Sequence, residues 1–251
     1  MERYQVRAPS ALYRVNFGPD PLSLRGWSAA NKCDRLGIET FGYRWDDPQR
    51  EFRSLYTSAS PIGAIIERVQ DLQPQQSQLK WLESFRPEPG LRLPAYGVVP
   101  ADYLENVYLC RMALADGGVF LDVEDSEVLA YLRHEHAALA QDLGQQGFTL
   151  AAIFGEDTEL TRAIARTAYD YGYAGITATS KLGIPHENWT IFETGHMTAA
   201  LRSRVLRVVA DPLTMESPDL HSALRSLNIV VGPEQDLRYR PARLARVRPP
   251  Y

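Results

Sequence analysis

The chain has 251 residues, of which 45% are apolar and 23% charged, as in an ordinary folded protein. Its 27 Lys and Arg against 31 Asp and Glu give a net charge of −4, so the basic character typical of nucleic-acid-binding proteins is absent. The sequence has neither a secretory signal in its first ten residues nor an apolar run near the roughly 18 residues of a membrane helix. Two cysteines, Cys33 and Cys110, are too few for a disulfide scaffold and lack zinc-ligand spacing, although one buried disulfide stays open. We therefore expect a cytoplasmic protein without membrane contact.

The first part of the chain predicts two short strands. Residues 11–16 alternate in the manner of a strand, which places Arg14 on the face opposite Val15. Residues 53–58 predict a second strand, and residues 17–43 are rich in Gly, Ser, Asn and Asp, which indicates loop.

A helix is predicted to begin at Pro61, with Ser60 as its N-cap. Four apolar residues follow at helical spacing and predict one buried stripe: Ile62, Ile65, Ile66 and Val69. Glu67 lies about 140° from Ile62 at about 100° per residue, so we expect its carboxylate to lie off that stripe.

The rest of the chain mixes strands and helices without strict βαβ alternation. The predicted strands are residues 106–114, 119–123, 149–154, 175–180 and 189–192, and the predicted helices are 126–143 and 158–171. The Asp116-Gly117-Gly118 turn predicts a hairpin between the first two of these strands. Strands outnumber helices, which favours the α+β class with mixed or antiparallel sheets.

Common catalytic signatures are absent: the sequence has no GxGxxG after a strand, no phosphate-binding P-loop and no GxSxG. His134 and His136 would point to opposite sides of a helix and could not share a metal, so we predict a solvated helix face. The arginine-rich tail at residues 238–248 is read as a solvated or packed arm in preference to a contact with nucleic-acid phosphates.

Several segments, taken in order, resemble the RES domain family, which is named for an arginine, a glutamate and a serine. They are LYRVN (12–16), GYRWDDP (42–48), FRSLYTSAS (52–60), the helix that contains Glu67, and GITATSKLG…NWTIF (175–192), with further similarity in ELTRAIARTAYDYGYAGITATS (159–180). The resemblance matches Arg14 and Arg44 to two family arginines, Tyr56 to a strand tyrosine, Glu67 to the glutamate, Ser180 to the serine and Asn188 to a downstream polar position.

The resemblance implies an ADP-ribosyltransferase-like α+β core of two packed mixed or antiparallel sheets flanked by helices, with a cleft for NAD between them. It implies a single RES domain over residues 1–251, with a core at about 11–192, an insertion at about 73–94 and a C-terminal extension at about 200–251. It also implies an NAD glycohydrolase or NAD phosphorylase that is the toxin half of a toxin–antitoxin pair. A small helix-turn-helix antitoxin would then cover the cleft.

The residue types suit this chemistry. Arg14 and Arg44 would clamp the pyrophosphate of NAD, because a guanidinium fits phosphate oxygens in a way that an ammonium does not. The ring of Tyr56 would stack on the cationic nicotinamide. We assign catalytic roles to Arg14, Glu67 and Ser180: Glu67 would stabilise an oxocarbenium-like ribose, and Ser180 would bind a ribose hydroxyl or the nicotinamide amide, as Asn188 would help to do.

NAD is thus the expected substrate, and no metal is needed, because nicotinamide is already a cationic leaving group. Two alternatives stay open: a mono-ADP-ribosyltransferase that modifies a protein, and a non-catalytic nucleotide-binding or interaction module on a RES scaffold. The acceptor (water, phosphate or a protein side chain) and a homo-oligomeric state also stay open.

Overall fold

A computed structural model describes residues 5–22, 24, 30, 32–33, 39–40, 42–73, 97–115, 118–145, 148–155, 158–180, 182, 186–194 and 205–232. Its strands are β1 (Gln5–Arg7), β2 (Leu12–Phe17), β3 (Lys32–Cys33), β4 (Glu39–Thr40), β5 (Phe52–Ser58), β6 (Val98–Pro100), β7 (Val107–Leu114), β8 (Val119–Asp122), β9 (Gly175–Thr179), β10 (Glu187–Thr194), β11 (Val205–Pro212) and β12 (Val230–Gly232). Its α-helices are α1 (Pro61–Val69), α2 (Ser126–Glu135), α3 (Ala137–Asp142), α4 (Leu150–Phe154), α5 (Glu159–Asp170) and α6 (Pro218–Ser226).

Eight of these strands form one sheet in the order β1-β8-β9-β10-β5-β2-β7-β11. Its neighbours are antiparallel except for β8 and β9, which are parallel. The remaining strands form two small sheets, β12 with β6 and β3 with β4.

The large sheet is nearly divided between β2 and β5. β5 pairs with β10 along its whole length, and β2 does so with β7, whereas β2 and β5 share only the pair Tyr13–Ser58. We call this junction the seam. The predicted α+β class with a mixed sheet flanked by helices is confirmed, and in the described residues the two expected sheets are two halves of one sheet joined at the seam.

Helix α1 lies across the seam, where it packs against β2, β5 and β7 and against α6. It begins as predicted, because the Ser60 side chain accepts a hydrogen bond of 2.9 Å from the Gly63 amide and Pro61 occupies the first turn. The stripe residues Ile65, Ile66 and Val69 are fully buried in a cluster that includes Leu220 and Leu224 of α6. Each such side chain contributes about 1.5–3 kcal/mol on burial, so this apolar face fixes the helix on α6 and on the sheet half that contains β2 and β7.

A second cluster joins the other helices to the sheet half formed by β1, β8, β9, β10 and β5. It contains residues of α2, α4 and α5 together with sheet residues: Val128, Leu132, Ile153, Leu160, Ile164, Phe52, Ile176 and Phe192. A third cluster includes Leu55, Phe120, Trp189 and Ile191. Ile191 and Phe192 are neighbours on β10 and therefore point to opposite faces of the sheet. Since they belong to different clusters, apolar packing covers both faces of this half.

Three local predictions are wrong. The hairpin of β7 and β8 does not form: β7 lies between β2 and β11, and β8 lies between β1 and β9. Residues 149–154 do not form a strand but contain α4, and the amides of Ala152 and Ile153 both donate to the Thr149 carbonyl. The helix expected over 126–143 is interrupted at His136, which separates α2 from α3. The other predicted strands and helices are confirmed within two residues at each end, including residues 189–192, where β10 is two residues longer at both ends.

The predicted solvated face holds for His134 but is wrong for His136. His134 is exposed, whereas His136 is buried with its Nε2 3.2 Å from Thr167 Oγ1, and burial lowers the pKa of this imidazole. Within the described ranges, no cluster of His, Cys, Asp or Glu could hold a metal ion. Cys110 is a buried free thiol.

No helix within the described part of the chain is long and apolar enough to span a bilayer. The arginine-rich tail at 238–248 lies outside the described residues, as does the excursion at 73–94 apart from Gln73.

Candidate active site

Three of the predicted site residues meet at the carboxylate of Glu67. Its Oε1 accepts hydrogen bonds of 2.8 Å from Ser180 Oγ and 2.7 Å from Asn188 Nδ2. Glu67 lies on α1, Ser180 follows β9, and Asn188 lies on β10, opposite Ala178 of β9. Two adjacent antiparallel strands therefore bring Ser180 and Asn188 to Glu67, although they lie 113 and 121 residues after it in the sequence.

Two further side chains surround this carboxylate. Gln70 Nε2 donates to Glu67 Oε2 at 2.8 Å and also to the Glu67 carbonyl at 2.9 Å. His186 Nε2 lies 3.5 Å from Oε1, longer than a good hydrogen bond. The Glu67 side chain is 31% exposed, so the carboxylate is held in place and still open to a ligand.

The environment keeps Glu67 ionised. Burial raises the pKa of this carboxyl, but the contacts from His186, Asn188 and Ser180 lower it by more, and the net pKa lies below the ordinary 4.5. At neutral pH the site thus presents a fixed negative charge.

Arg14 lies in the seam. Its Nη1 donates to the Tyr56 carbonyl at 3.0 Å, so the guanidinium supplies a hydrogen bond that the diverging strands do not make. Its Nε is buried and has no hydrogen-bond partner among the described residues. Burial lowers the pKa of Arg14, the nearby Arg68 lowers it further, and Tyr43 opposes both effects.

Arg44 binds the end of a helix. Its guanidinium donates to the carbonyls of Ile153, Phe154 (3.3 Å) and Gly155 (2.9 Å), where α4 ends and carbonyls lack helical partners. Burial lowers its pKa, while Tyr56 and Glu67 raise it, so Arg44 contributes positive charge near the carboxylate. The predicted phosphate contact stays a prediction, and the structure adds an anchoring role that the sequence analysis did not assign.

Tyr56 connects the strand that carries Arg14 with the loop that carries Arg44. Its hydroxyl accepts a 2.9 Å hydrogen bond from the Trp45 amide, next to Arg44, and its carbonyl binds Arg14. Its ring packs edge-on against Tyr43, with centroids 5.7 Å apart, and Tyr43 is 43% exposed. Burial raises the pKa of Tyr56 well above its ordinary value, which keeps it a neutral phenol.

The two aspartates after Arg44 organise the loop itself. The Asp46 carboxylate accepts a hydrogen bond of 2.8 Å from the Tyr43 amide. The Asp47 carboxylate accepts hydrogen bonds from the amides of Gln49 (3.0 Å) and Phe52 (3.2 Å). Both side chains are buried. They therefore fix the turn that carries Arg44, because buried carboxylates need such donors.

A model of the RES domain family matches residues 11–216. The chain belongs to the RES domain family. The match extends beyond the predicted core boundary at about 192 and includes β11, the edge strand on β7.

Among solved structures, this RES protein is similar to the M. tuberculosis MbcT–MbcA toxin–antitoxin complex. The identity is 16% and the TM-score 0.47, over 90% of this chain and 93% of the other. A search of curated proteins gave no match.

In this RES protein, sequence reasoning missed two residues: His186, which lies beside the carboxylate, and Gly63, which lies against the His186 ring. A Cβ on Gly63 would lie 2.7 Å from His186 Cδ2 and would also collide with Ser58 Oγ, so only glycine permits this approach. A glycine in the first turn of an otherwise apolar helix was a usable signal for the close contact. His186 gave none, because a single histidine before a strand has no distinctive pattern.

Proposed function

We propose that this RES protein cleaves the bond between nicotinamide and ribose in NAD. The observation that carries the proposal is the Glu67 carboxylate, which is ionised, partly open and held by Ser180 and Asn188. A preorganised negative charge of this kind suits a reaction in which positive charge develops on a sugar.

Glu67 would act on the ribose. As the C1′–N1 bond breaks, its electron pair moves to the pyridine nitrogen and neutralises that ring, while C1′ and the ring oxygen of the ribose become cationic. A carboxylate about 4 Å from that cation contributes about 4 kcal/mol at an effective dielectric of about 20. Before cleavage the positive charge lies on the nicotinamide ring, and it moves onto the ribose as the bond breaks. Only the attraction gained by this movement favours the transition state over the bound substrate, so about 4 kcal/mol is an upper limit.

Ser180 and Asn188 would orient the substrate as well as the carboxylate. Ser180 Oγ donates to Glu67 and accepts from the Leu182 amide at 3.3 Å. A carboxylate whose pKa lies below 4.5 is too weak a base to activate a hydroxyl, so we assign Ser180 no nucleophilic role. Asn188 Oδ1 is buried without a hydrogen-bond partner among the described residues. It is a suitable acceptor for a ribose hydroxyl or for the amide of nicotinamide.

Arg14 and the tyrosines would bind the rest of NAD. Arg14 has an unused buried Nε–H and suits the pyrophosphate. Arg44 would add positive charge while its guanidinium stays on the end of α4. The partly exposed Tyr43 and Tyr56 offer aromatic faces for nicotinamide.

The cation is then captured by a nucleophile. Water attack on C1′ gives ADP-ribose and a proton, and phosphate attack gives a phosphorylated ADP-ribose. Neither route requires an acid on the leaving group, because nicotinamide departs neutral.

The biological role that we propose follows from family membership. The protein would be the cytoplasmic toxin of a toxin–antitoxin pair, silenced by a small helix-turn-helix partner that covers the cleft. We propose that residues 1–251 form one RES domain. We also propose that it makes no direct contact with nucleic acid or membrane, in keeping with the net charge of −4.

The test is release of nicotinamide from NAD by the purified protein, with and without phosphate. Labelled NAD added to a cell lysate distinguishes a transferase, which would label a discrete protein band. If nicotinamide is not released with water, phosphate or lysate protein as acceptor, the enzymatic proposal is wrong and a non-catalytic module becomes the better explanation.

A further inference from the structure

His186 is a buried imidazole that the reaction above does not use. Its side chain is 6% exposed, and neither ring nitrogen has a hydrogen-bond partner among the described residues. Buried polar groups in native proteins are normally paired, so this ring calls for an explanation. Glu67 Oε1 lies 3.5 Å from Nε2.

The backbone holds His186 beside the catalytic groups. Its carbonyl accepts a 2.9 Å hydrogen bond from the Ser180 amide, and Asn188 follows two residues later on β10. Its ring lies so close to the first turn of α1 that Gly63 has no room for a side chain. His186 thus contacts the helix that carries Glu67 and the strand ends that carry the two donors to it.

We propose that His186 is a positioning residue for Glu67, with Nε2–H directed at Oε1 as a third donor beside Ser180 and Asn188. This inference rests on the proposed function for its catalytic consequence. The contact is long at 3.5 Å, and catalytic hydrogen bonds commonly shorten when a substrate is bound. The imidazole would hold the carboxylate in one orientation toward the ribose.

The side chains around the Glu67 carboxylate differ in charge, and His186 is a titratable one that lies within 3.5 Å of it. Ser180, Asn188 and Gln70 are uncharged donors to the carboxylate. Arg44 acts on it only through space, because its own N–H groups bind the end of α4. His186 contributes the largest of the effects that lower the pKa of Glu67, so its removal should raise that pKa.

The experiment compares His186→Leu with His186→Gln. Leucine fills space without a donor, whereas the glutamine amide can place an N–H near the former Nε2. Both variants keep the backbone carbonyl that binds Ser180, and thermal unfolding checks that they are folded. The Glu67 carboxyl is followed by ¹³C NMR during a pH titration, with its signal assigned by its loss in Glu67→Gln. Nicotinamide release gives kcat and KM.

We expect H186L to move the Glu67 titration and the acid limb of kcat to higher pH. We also expect kcat to fall about 10-fold to 100-fold with little change in KM, since a hydrogen bond to a charged group is lost. H186Q should recover most of both effects. An unchanged Glu67 titration in H186L would overturn the inference, as would equal losses in the leucine and glutamine variants.

The two proposals fail in different ways. If the wild-type protein releases no nicotinamide, the proposed function is wrong, but the Glu67 titration still decides whether His186 acts on the carboxylate. If the wild-type protein is active and H186L retains full kcat, the function stands and the role of His186 is refuted.

Discussion

Replacement of Glu67 by glutamine tests the proposed chemistry most directly. The side chain keeps its shape, and an amide oxygen at the Oε1 position can still accept from Ser180 and Asn188. What is lost is the negative charge, together with the Gln70 hydrogen bond to Oε2, because an amide NH2 at that position is itself a donor. We therefore expect the fold to survive, with a destabilisation of about 1 kcal/mol from the weaker hydrogen bonds and a fall in Tm of about 2–4 °C.

The expected loss of rate is much larger than the loss of stability. An attraction of about 4 kcal/mol between the carboxylate and the ribose cation sets an upper limit of about 10³ on the rate factor, because the carboxylate also attracts the cationic nicotinamide of the bound substrate. Removal of one preorganised group in other enzymes costs about 10²–10³ in kcat, which agrees in size. We expect Glu67→Gln to lower kcat for nicotinamide release by about 10²–10³, with a much smaller change in KM.

The pH dependence provides a second readout. Glu67 has a lowered pKa, so wild-type activity should be present above the ordinary value of 4.5 and should fall only as pH drops through the lower folded-state value. The residual activity of Glu67→Gln should lack this acid limb. Glu187→Gln is the matched control, because Glu187 is exposed on the same strand as Asn188. A folded Glu67→Gln protein with at least one-tenth of wild-type kcat would refute the electrostatic role.

Other substitutions probe the supporting structure. Gly63→Ala should destabilise the protein by about 1–3 kcal/mol through its collision with His186, and an unchanged Tm would contradict that packing. Arg44→Lys should lower Tm, because an ammonium cannot reproduce the guanidinium contacts at the end of α4; a loss of NAD affinity with no change in Tm would instead favour a pure phosphate clamp. Tyr56→Phe leaves the Trp45 amide without its acceptor, at a cost of about 1–3 kcal/mol in urea unfolding, while KM for NAD should stay within threefold. A large rise in KM would show that the hydroxyl contacts the substrate.

The group formed by Glu67, Ser180 and Asn188 could be predicted from sequence because each of its parts has a local signal. Ser60 and Pro61 define where α1 begins, and the apolar stripe then sets the side on which Glu67 lies. The ordered RES segments add Ser180 and Asn188, and the structure places both on Glu67.

The errors arise where distant parts of the chain decide the outcome. The Asp-Gly-Gly turn favours a hairpin locally, but β7 and β8 find better partners in opposite halves of the sheet. The short apolar run at 149–154 fits a strand or a helix equally well, and packing against the core makes it α4. The anchoring of Arg44 needs carbonyls 109 to 111 residues away, which no local pattern reveals.

The seam has a mechanical consequence for catalysis. Since β2 and β5 share one residue pair in the described chain, the two sheet halves are held together by side chains as well, in a buried cluster that contains Leu12 and Met112 of one half and Leu55 and Ile191 of the other. Ser180 and Asn188 belong to one half, whereas the apolar face of the helix that carries Glu67 packs on the other, so the hydrogen bonds at Glu67 connect the two halves. The alignment of both donors with the carboxylate therefore depends on an apolar cluster that contains neither of them.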